Sequence, residues 1–215
     1  MEIKTITVGW NAANCYIIYN RGTCEASVID PGGEADKILD FIREQNLKVK
    51  NIFLTHGHFD HILGVQQLKE ATGARIVIHE ADAICLRDTH ASLYTSIMNE
   101  PFRRADPDIL LRGGERTLVG GAEMLFVHTP GHSPGSMCMF IGNVLFSGDT
   151  LFADGIGRSD FPTSDPDALA RSLRELFAIG RDYCVYPGHG EPTSLAYEKE
   201  HNRYFREWAF RRPTR

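Results

Sequence analysis

The chain has 215 residues, 42% of them hydrophobic and 24% charged, so a packed globular core is expected. Its net charge of −5 comes without a long basic run, which argues against a nucleic-acid partner, and no apolar stretch is long enough to span a bilayer or resembles a signal peptide. Five scattered cysteines, Cys15, Cys24, Cys85, Cys138 and Cys184, form no C-x-x-C pair; such a set suits a reducing compartment, so a cytoplasmic protein with no membrane partner is expected. The basic cluster Arg211, Arg212 and Arg215 reads as a solvated terminus.

In chain order, three short strands are predicted first, Ile3–Val8, Cys15–Tyr19 and Ala26–Ile29, separated by the turn signals Gly9 with Asn11 and Asn20 with Gly22. A helix follows with Ile38, Phe41 and Ile42 on one face, then a strand Asn51–Thr55 and a second helix bearing Ile62, Val65 and Leu68 that stops at Gly73. Arg75–His79 reads as a strand and Ala81–Arg87 as a helix. Over 88–114 the pattern weakens, and this long connection reads equally as a pocket wall and as a surface excursion. Strands return at Arg116–Val119, Glu123–His128, Ser136–Ile141 and Val144–Ser147. Asp165 and Pro166 then mark a helix start, with Leu169, Leu173, Leu176 and Phe177 as its apolar stripe. A strand Tyr183–Tyr186 and a helix from about Ser194 complete the order. It reads as one unit, 1–215, of two similar α/β halves.

The stretch Phe53-Leu-Thr-His-Gly-His-Phe-Asp-His-Ile-Leu-Gly64 concentrates His56, His58, Asp60 and His61 just after a strand. Imidazole and carboxylate are ligands that zinc, iron and manganese accept. In extended chain His56 and His58 point to the same side, while Asp60 and His61 open the following helix, so the two pairs differ in direction and suit two neighbouring metals. Three further strand ends carry one candidate each beside glycine: His132 in Thr129-Pro-Gly-His-Ser-Pro-Gly135, Asp149 in Phe146-Ser-Gly-Asp-Thr150, and His189 in Tyr186-Pro-Gly-His-Gly190.

These motifs resemble the metallo-β-lactamase superfamily over nearly the whole chain. Thr55-His-Gly-His-Phe-Asp-His61 is similar to its T-H-x-H-x-D-H signature, and the His132, Asp149 and His189 turns follow in order. The resemblance implies an α/β fold, a four-layer αββα sandwich with a dinuclear site at one sheet edge. It implies that His56, His58 and His132 hold one metal, that Asp60, His61 and His189 hold the other, and that Asp149 bridges both. Two divalent ions are expected, zinc first, with iron or manganese as alternatives. Asp149 stands where antibiotic-hydrolysing β-lactamases typically carry a cysteine, and His58 where flavodiiron-type members carry Glu. Gly148-Asp-Thr-Leu-Phe152, Gly155-Ile-Gly-Arg-Ser-Asp-Phe-Pro162 and the tail Glu198-Lys199…Asn202 are similar to short glyoxalase II-like hydrolases. Full-length hydroxyacylglutathione hydrolases add a C-terminal substrate domain that this chain is too short to hold, and carry Lys followed by Phe-Tyr where Arg158-Ser159-Asp160 stands here.

The resemblance therefore implies hydrolysis of a small thioester, such as an S-acyl-glutathione, by a metal-bound hydroxide, with Asp60 as ligand, orienter of the nucleophile and proton acceptor. Arg158 is a candidate for gripping a substrate carboxylate, weighed against pairing with Asp160 or Asp154. Asp30 is a candidate hydrogen-bond partner for a ligating imidazole, weighed against a turn role. Cys138 reads as a buried structural thiol, and Trp10 with Asn11 as a packed turn rather than site lining. The alternative activity is that of the superfamily's persulfide dioxygenases, whose single iron is held by two His and one Asp matching His56, His132 and Asp149.

Overall fold

The structure, a computed structural model, describes residues 1–95 and 101–204. The basic cluster at 211–215 and residues 96–100 of the long connection lie outside the described residues.

The first half folds as a six-stranded sheet in the order β1 (Glu2–Val8), β2 (Ala13–Tyr19), β3 (Glu25–Ile29), β4 (Lys48–Phe53), β5 (Arg75–His79) and β6 (Ile109–Leu111). The first three pair antiparallel, and from β3 onward the pairing is parallel. Helix α1 (Ala35–Glu44) connects β3 to β4, and α2 (Phe59–Ile62) with α3 (Val65–Thr72) connects β4 to β5. The second half mirrors this plan. Strands β7 (Arg116–Val119), β8 (Ala122–His128), β9 (Met137–Ile141) and β10 (Val144–Gly148) run antiparallel, and α4 (Pro166–Ala178) carries the chain to β13 (Cys184–Pro187), parallel to β10. A hairpin of β11 (Leu151–Phe152) and β12 (Gly155–Ile156) lies between, and β14 (Thr193–Ser194) leads into α5 (Leu195–His201).

Strand periodicity shows why these segments make four layers. In β2, Cys15, Ile17 and Tyr19 face the core shared with Ile38, Leu39 and Leu68 of α1 and α3, whereas Tyr16 and Ile18 face the other sheet. In β9 and β10, Met139, Ile141 and Phe146 face inward to meet Phe53 and Val77, while Phe140 and Leu145 pack outward against Leu169, Leu173 and Leu176 of α4. Each sheet buries both faces, one against its twin and one against helices, which gives the αββα sandwich expected from the resemblance.

Several elements differ from the sequence reading for identifiable reasons. The strand expected at Asn51–Thr55 starts at Lys48 and ends at Phe53, because the Thr55 amide donates to Asp30 Oδ1 at 2.7 Å. The His-bearing helix is two helices, because the Gly64 amide donates to the Pro31 carbonyl at 2.8 Å. Residues 80–86 wind as a 3-10 helix. The 88–114 connection contains β6, whose three residues give too short a pattern to read, and its Leu93 lines the site cavity, so part of it is a pocket wall. No helix among the described residues is long and apolar enough to cross a membrane.

The Asp165 cap gives a direct test of local stability. Its Oδ1 accepts from the Asp167 and Ala168 amides at 2.9 Å each, satisfying two amides at the start of α4. Asp165→Ala should lower stability by about 1 kcal/mol in urea unfolding, with the m-value unchanged.

Candidate metal centre

All the predicted ligands converge at the strand ends, where the two sheets share an edge. His56, His58, Asp60 and His61 follow β4; His132 follows β8, Asp149 follows β10 and His189 follows β13. The rings of His56, His58 and His132 surround one point, with centroids 4.6–4.8 Å apart. His58 Nδ1 lies 2.9 Å from His132 Nε2. Asp60, His61 and His189 form a second group, with His61 Nε2 3.3 Å from His189 Nε2 and His189 Nε2 3.3 Å from Asp60 Oδ2. Asp149 lies between: its Oδ1 is 3.4 Å from His61 Nε2 and its Oδ2 is 3.5 Å from His132 Nε2. Gly188 allows this approach, since a Cβ there would fall 2.1 Å from Asp149 Oδ1.

Hydrogen bonds fix which nitrogen each ring presents. Arg158 O accepts from His132 Nδ1 at 2.8 Å, and Asn11 O from His189 Nδ1 at 3.2 Å. Asp30 Oδ2 accepts from His61 Nδ1 at 3.0 Å and from the Thr55 hydroxyl at 2.6 Å. Having donated to Asp30, that hydroxyl accepts from His56 Nδ1 at 3.1 Å. A carbonyl or carboxylate cannot donate, so Nδ1 of each of these rings is spent as a donor and Nε2 is the nitrogen turned into the site. Asp30 is thus a partner of His61 and, through Thr55, of His56. Its Oδ2 serves both contacts and its Oδ1 accepts from the Thr55 amide, although it also forms a group with His56 and His61 close enough to hold a cation.

The donor set fits metal ions. The buried atoms His56 Nε2 and Asp149 Oδ1 have no hydrogen-bond partner, an expensive arrangement unless the group serves a cation. Burial, then the charge of neighbouring imidazoles, holds His56 well below the ordinary range, and burial followed by His132 holds His58 down to about 3, so both rings are neutral. Burial alone would lower His61, but Asp149, Asp60 and Asp30 outweigh it and push the ring up to about 10. Burial favours the neutral carboxyl of Asp60, but His61 and hydrogen bonds from His189 and Asn11 overcome it and keep it far below the carboxylate range.

The centre opens into a cavity of about 510 Å³ lined by Trp10, Asn11, Phe59, Leu93, Phe152 and Phe161 among others. Asn11 Nδ2 donates to Asp60 Oδ2 at 2.7 Å, and Trp10 is 72% exposed at the rim. These two therefore line the site and do not form the packed turn the sequence indicated; Asn11 looked like a turn former because the same Asn that suits a hairpin also suits a site. Arg158 lines the cavity, pairs bidentately with Asp160 at 2.9 and 3.0 Å, and stacks on Phe161. Its side chain therefore makes the internal pair that was weighed against a substrate role. Cys138 is buried and accepts from the Thr129 hydroxyl, away from the ligand groups.

A sandwich of two mixed sheets with such His and Asp groups at one edge defines a metal-dependent class of protein. The family model of the metallo-beta-lactamase superfamily matches residues 8–189, and the chain belongs to that superfamily. Hydroxyacylglutathione hydrolase GloC of Haemophilus influenzae is 35% identical over 94% of this chain and 97% of its own. Among solved structures, the B3 metallo-beta-lactamase BLEG-1 is 32% identical with a TM-score of 0.88, covering 95% of this chain and 99% of that one. TTHA1623 in a di-iron-bound form is 32% identical with a TM-score of 0.82, covering 94% and 99%. ETHE1 from Myxococcus xanthus is 29% identical with a TM-score of 0.81, covering 99% and 86%.

In the metal-free protein His61 is protonated at neutral pH, and His189 is raised too, its two carboxylate neighbours outweighing burial. A cation must displace these protons, so affinity falls as pH falls. Calorimetric titration with metal at pH 7, in buffers of different ionisation enthalpy, should show net proton release; zero release would contradict the raised His61.

Proposed function

We propose that the chain is a dinuclear zinc hydrolase of small thioesters, acting in the cytoplasm on an S-acyl-glutathione or similar thiol ester to give the free acid and the thiol. The reading rests on Asp149, whose carboxylate touches both ligand groups: Oδ1 lies 3.4 Å from His61 Nε2, and Oδ2 lies 3.5 Å from His132 Nε2 and 3.6 Å from His189 Nε2. In this reading His56, His58 and His132 would hold one ion, Asp60, His61 and His189 would hold the other, and Asp149 would be shared between them. Two divalent ions at such a site lower the pKa of water to near 7 and polarise a carbonyl. Iron is the alternative metal, supported by the di-iron-bound neighbour. The five cysteines, all free thiols, support a reducing compartment.

Asp60 remains ionised and has Oδ2 held by Asn11 Nδ2, so its carboxylate can orient a nucleophile, while its lowered proton affinity weighs against it as the proton's final acceptor. Among the described residues lining the cavity, the ionisable groups are the site's own imidazoles and carboxylates and Arg158, with no separate acid to protonate a leaving group. A thiol leaves as thiolate, having a pKa of about 8.5, whereas an amide nitrogen needs a proton. This favours a thioester over a β-lactam, and the GloC relative supports the same substrate class.

The persulfide dioxygenase alternative would use His56, His132 and Asp149, a two-His-one-carboxylate set suited to iron and oxygen. It leaves His58 Nδ1, 2.9 Å from His132 Nε2, and the whole Asp60, His61 and His189 group without a task. Metal analysis with paired assays separates the readings. About two metals per chain, thiol release from lactoylglutathione without oxygen uptake, and loss of activity on chelation are expected. One firmly bound iron with oxygen consumption on glutathione persulfide would overturn the hydrolase reading.

Asp60→Asn, with both metals bound, should reduce kcat at least 100-fold with a smaller change in KM. Arg158→Ala tests the substrate grip proposed for that guanidinium, which must be shared with Asp160. KM should rise about tenfold for a carboxylate-bearing thioester, equivalent to about 1.4 kcal/mol, and barely change for a small uncharged ester. Equal losses on both substrates would assign Arg158 to loop structure alone.

A further inference from the structure

The 3-10 helix Glu80–Leu86 carries an aspartate that the proposed chemistry leaves unused. Asp82 is 1% exposed. Its Oδ2 accepts from the Gly57 amide at 2.9 Å and from the Ser133 hydroxyl at 2.6 Å, and its Oδ1 accepts from the Gly135 amide at 2.7 Å. Gly57 is the residue between His56 and His58. Ser133 follows His132 directly, and Gly135 belongs to the same turn. One buried carboxylate therefore bonds the main chain of both segments that carry the first ligand group.

The surroundings are shaped for this contact. A Cβ on Gly57 would lie 2.5 Å from Cys85 Cβ, and a Cβ on Gly135 would lie 2.6 Å from Asp82 Cγ. Both positions need glycine so that the backbone amides can reach the carboxylate. Ser133 is fixed in turn, its hydroxyl 2.8 Å from Ser136 Oγ and its amide donating to the same oxygen at 3.0 Å. Burying a carboxylate costs several kcal/mol, which hydrogen bonds from well-placed donors must offset. Here those donors come from segments 75–80 residues apart in sequence, roughly the span that separates His56 and His58 from His132.

We propose that Asp82 is a positioning residue for the group His56, His58 and His132, clamping the H-x-H segment to the His132 turn and setting the spacing of the three imidazoles. This rests on the reading that those three residues hold a metal. Asp82 makes no hydrogen bond to Asp60, His61 or His189, whose partners are Asp30, Asn11 and one another, so its effect is confined to one of the two ions.

Metal-free wild type, Asp82→Asn and Ser133→Ala are titrated with cobalt(II) against a chromophoric chelator, reading the cobalt absorption bands, with metal-free Tm measured alongside. His189→Ala, which removes a ligand of the other group, assigns the two equivalents. Asp82→Asn turns an acceptor into a donor facing an N–H; it should weaken one equivalent about 10–100-fold, alter that equivalent's bands and leave the other unchanged. Ser133→Ala keeps the carboxylate and should weaken the same equivalent less; it decides the matter if Asp82→Asn does not fold. Equal weakening of both equivalents, or no change in either, overturns the proposal. If the wild type takes up only one ion, the dinuclear reading fails, and Asp82 is supported only if both variants weaken that ion at unchanged metal-free Tm while His189→Ala does not.

Discussion

Imidazoles and carboxylates packed together out of water are unfavourable by themselves. Asp149 Oδ1 and His56 Nε2 are buried without a hydrogen bond, and His61 and His189 hold raised proton affinities because carboxylates face them. That constraint explains much of the surrounding chain. Each exposed flank of the cluster is occupied by a group that accepts from an Nδ1: Asp30, Thr55, Arg158 O and Asn11 O. On the rings of His56, His61, His132 and His189 the outward nitrogen is satisfied so that the inward one can serve a cation.

The fold supplies the rigidity this needs. Strand ends from both sheets deliver the groups, and the interior between the sheets, with Phe53, Phe126, Met139 and Phe146, holds those ends in register. The tightest approaches occur where the sequence places glycine. Gly188 passes beside Asp149, and Gly157 beside the Asp149 carbonyl, at distances a Cβ could not share. The Glu198 carboxylate and Asn202 amide, both buried, bond the Asp154 amide, the Thr193 hydroxyl and the Gly155 carbonyl, so α5 fastens the β11–β12 hairpin that leads to Arg158.

Much of this was legible in the residues. The short apolar runs of β2, β5, β9 and β10, buried on both faces, and the capped start of α4 were readable because each depends on neighbours in sequence. The convergence of His56, His58, Asp60, His61, His132, Asp149 and His189 was legible because ligand chemistry beside glycine at a strand end is a local pattern. Asp82 was not legible: an acid early in a helical segment looks like an ordinary helix-start residue, and its three partners lie far away in sequence. Asn11 was misread for the same reason, since its contact with Asp60 spans 49 residues. The break between α2 and α3 came from Pro31, on another strand's exit, which no periodicity within the helix reveals.

Strand β2 holds the last ligand segment by bonds across nearly the whole chain. The Asn14 side chain reaches the carbonyls of Pro187 and Gly190, and the Tyr16 hydroxyl reaches that of Pro187, over separations of 171–176 residues. During vectorial synthesis the amino-terminal sheet can form early, yet the first ligand group waits for His132 and the second for His189. A nascent chain thus carries half a coordination sphere at its surface for most of its elongation, and contacts so distant in sequence are among the slowest to form. The centre is completed by two segments far apart in sequence, 11–16 and 187–190, and removing either one removes the same wall of it.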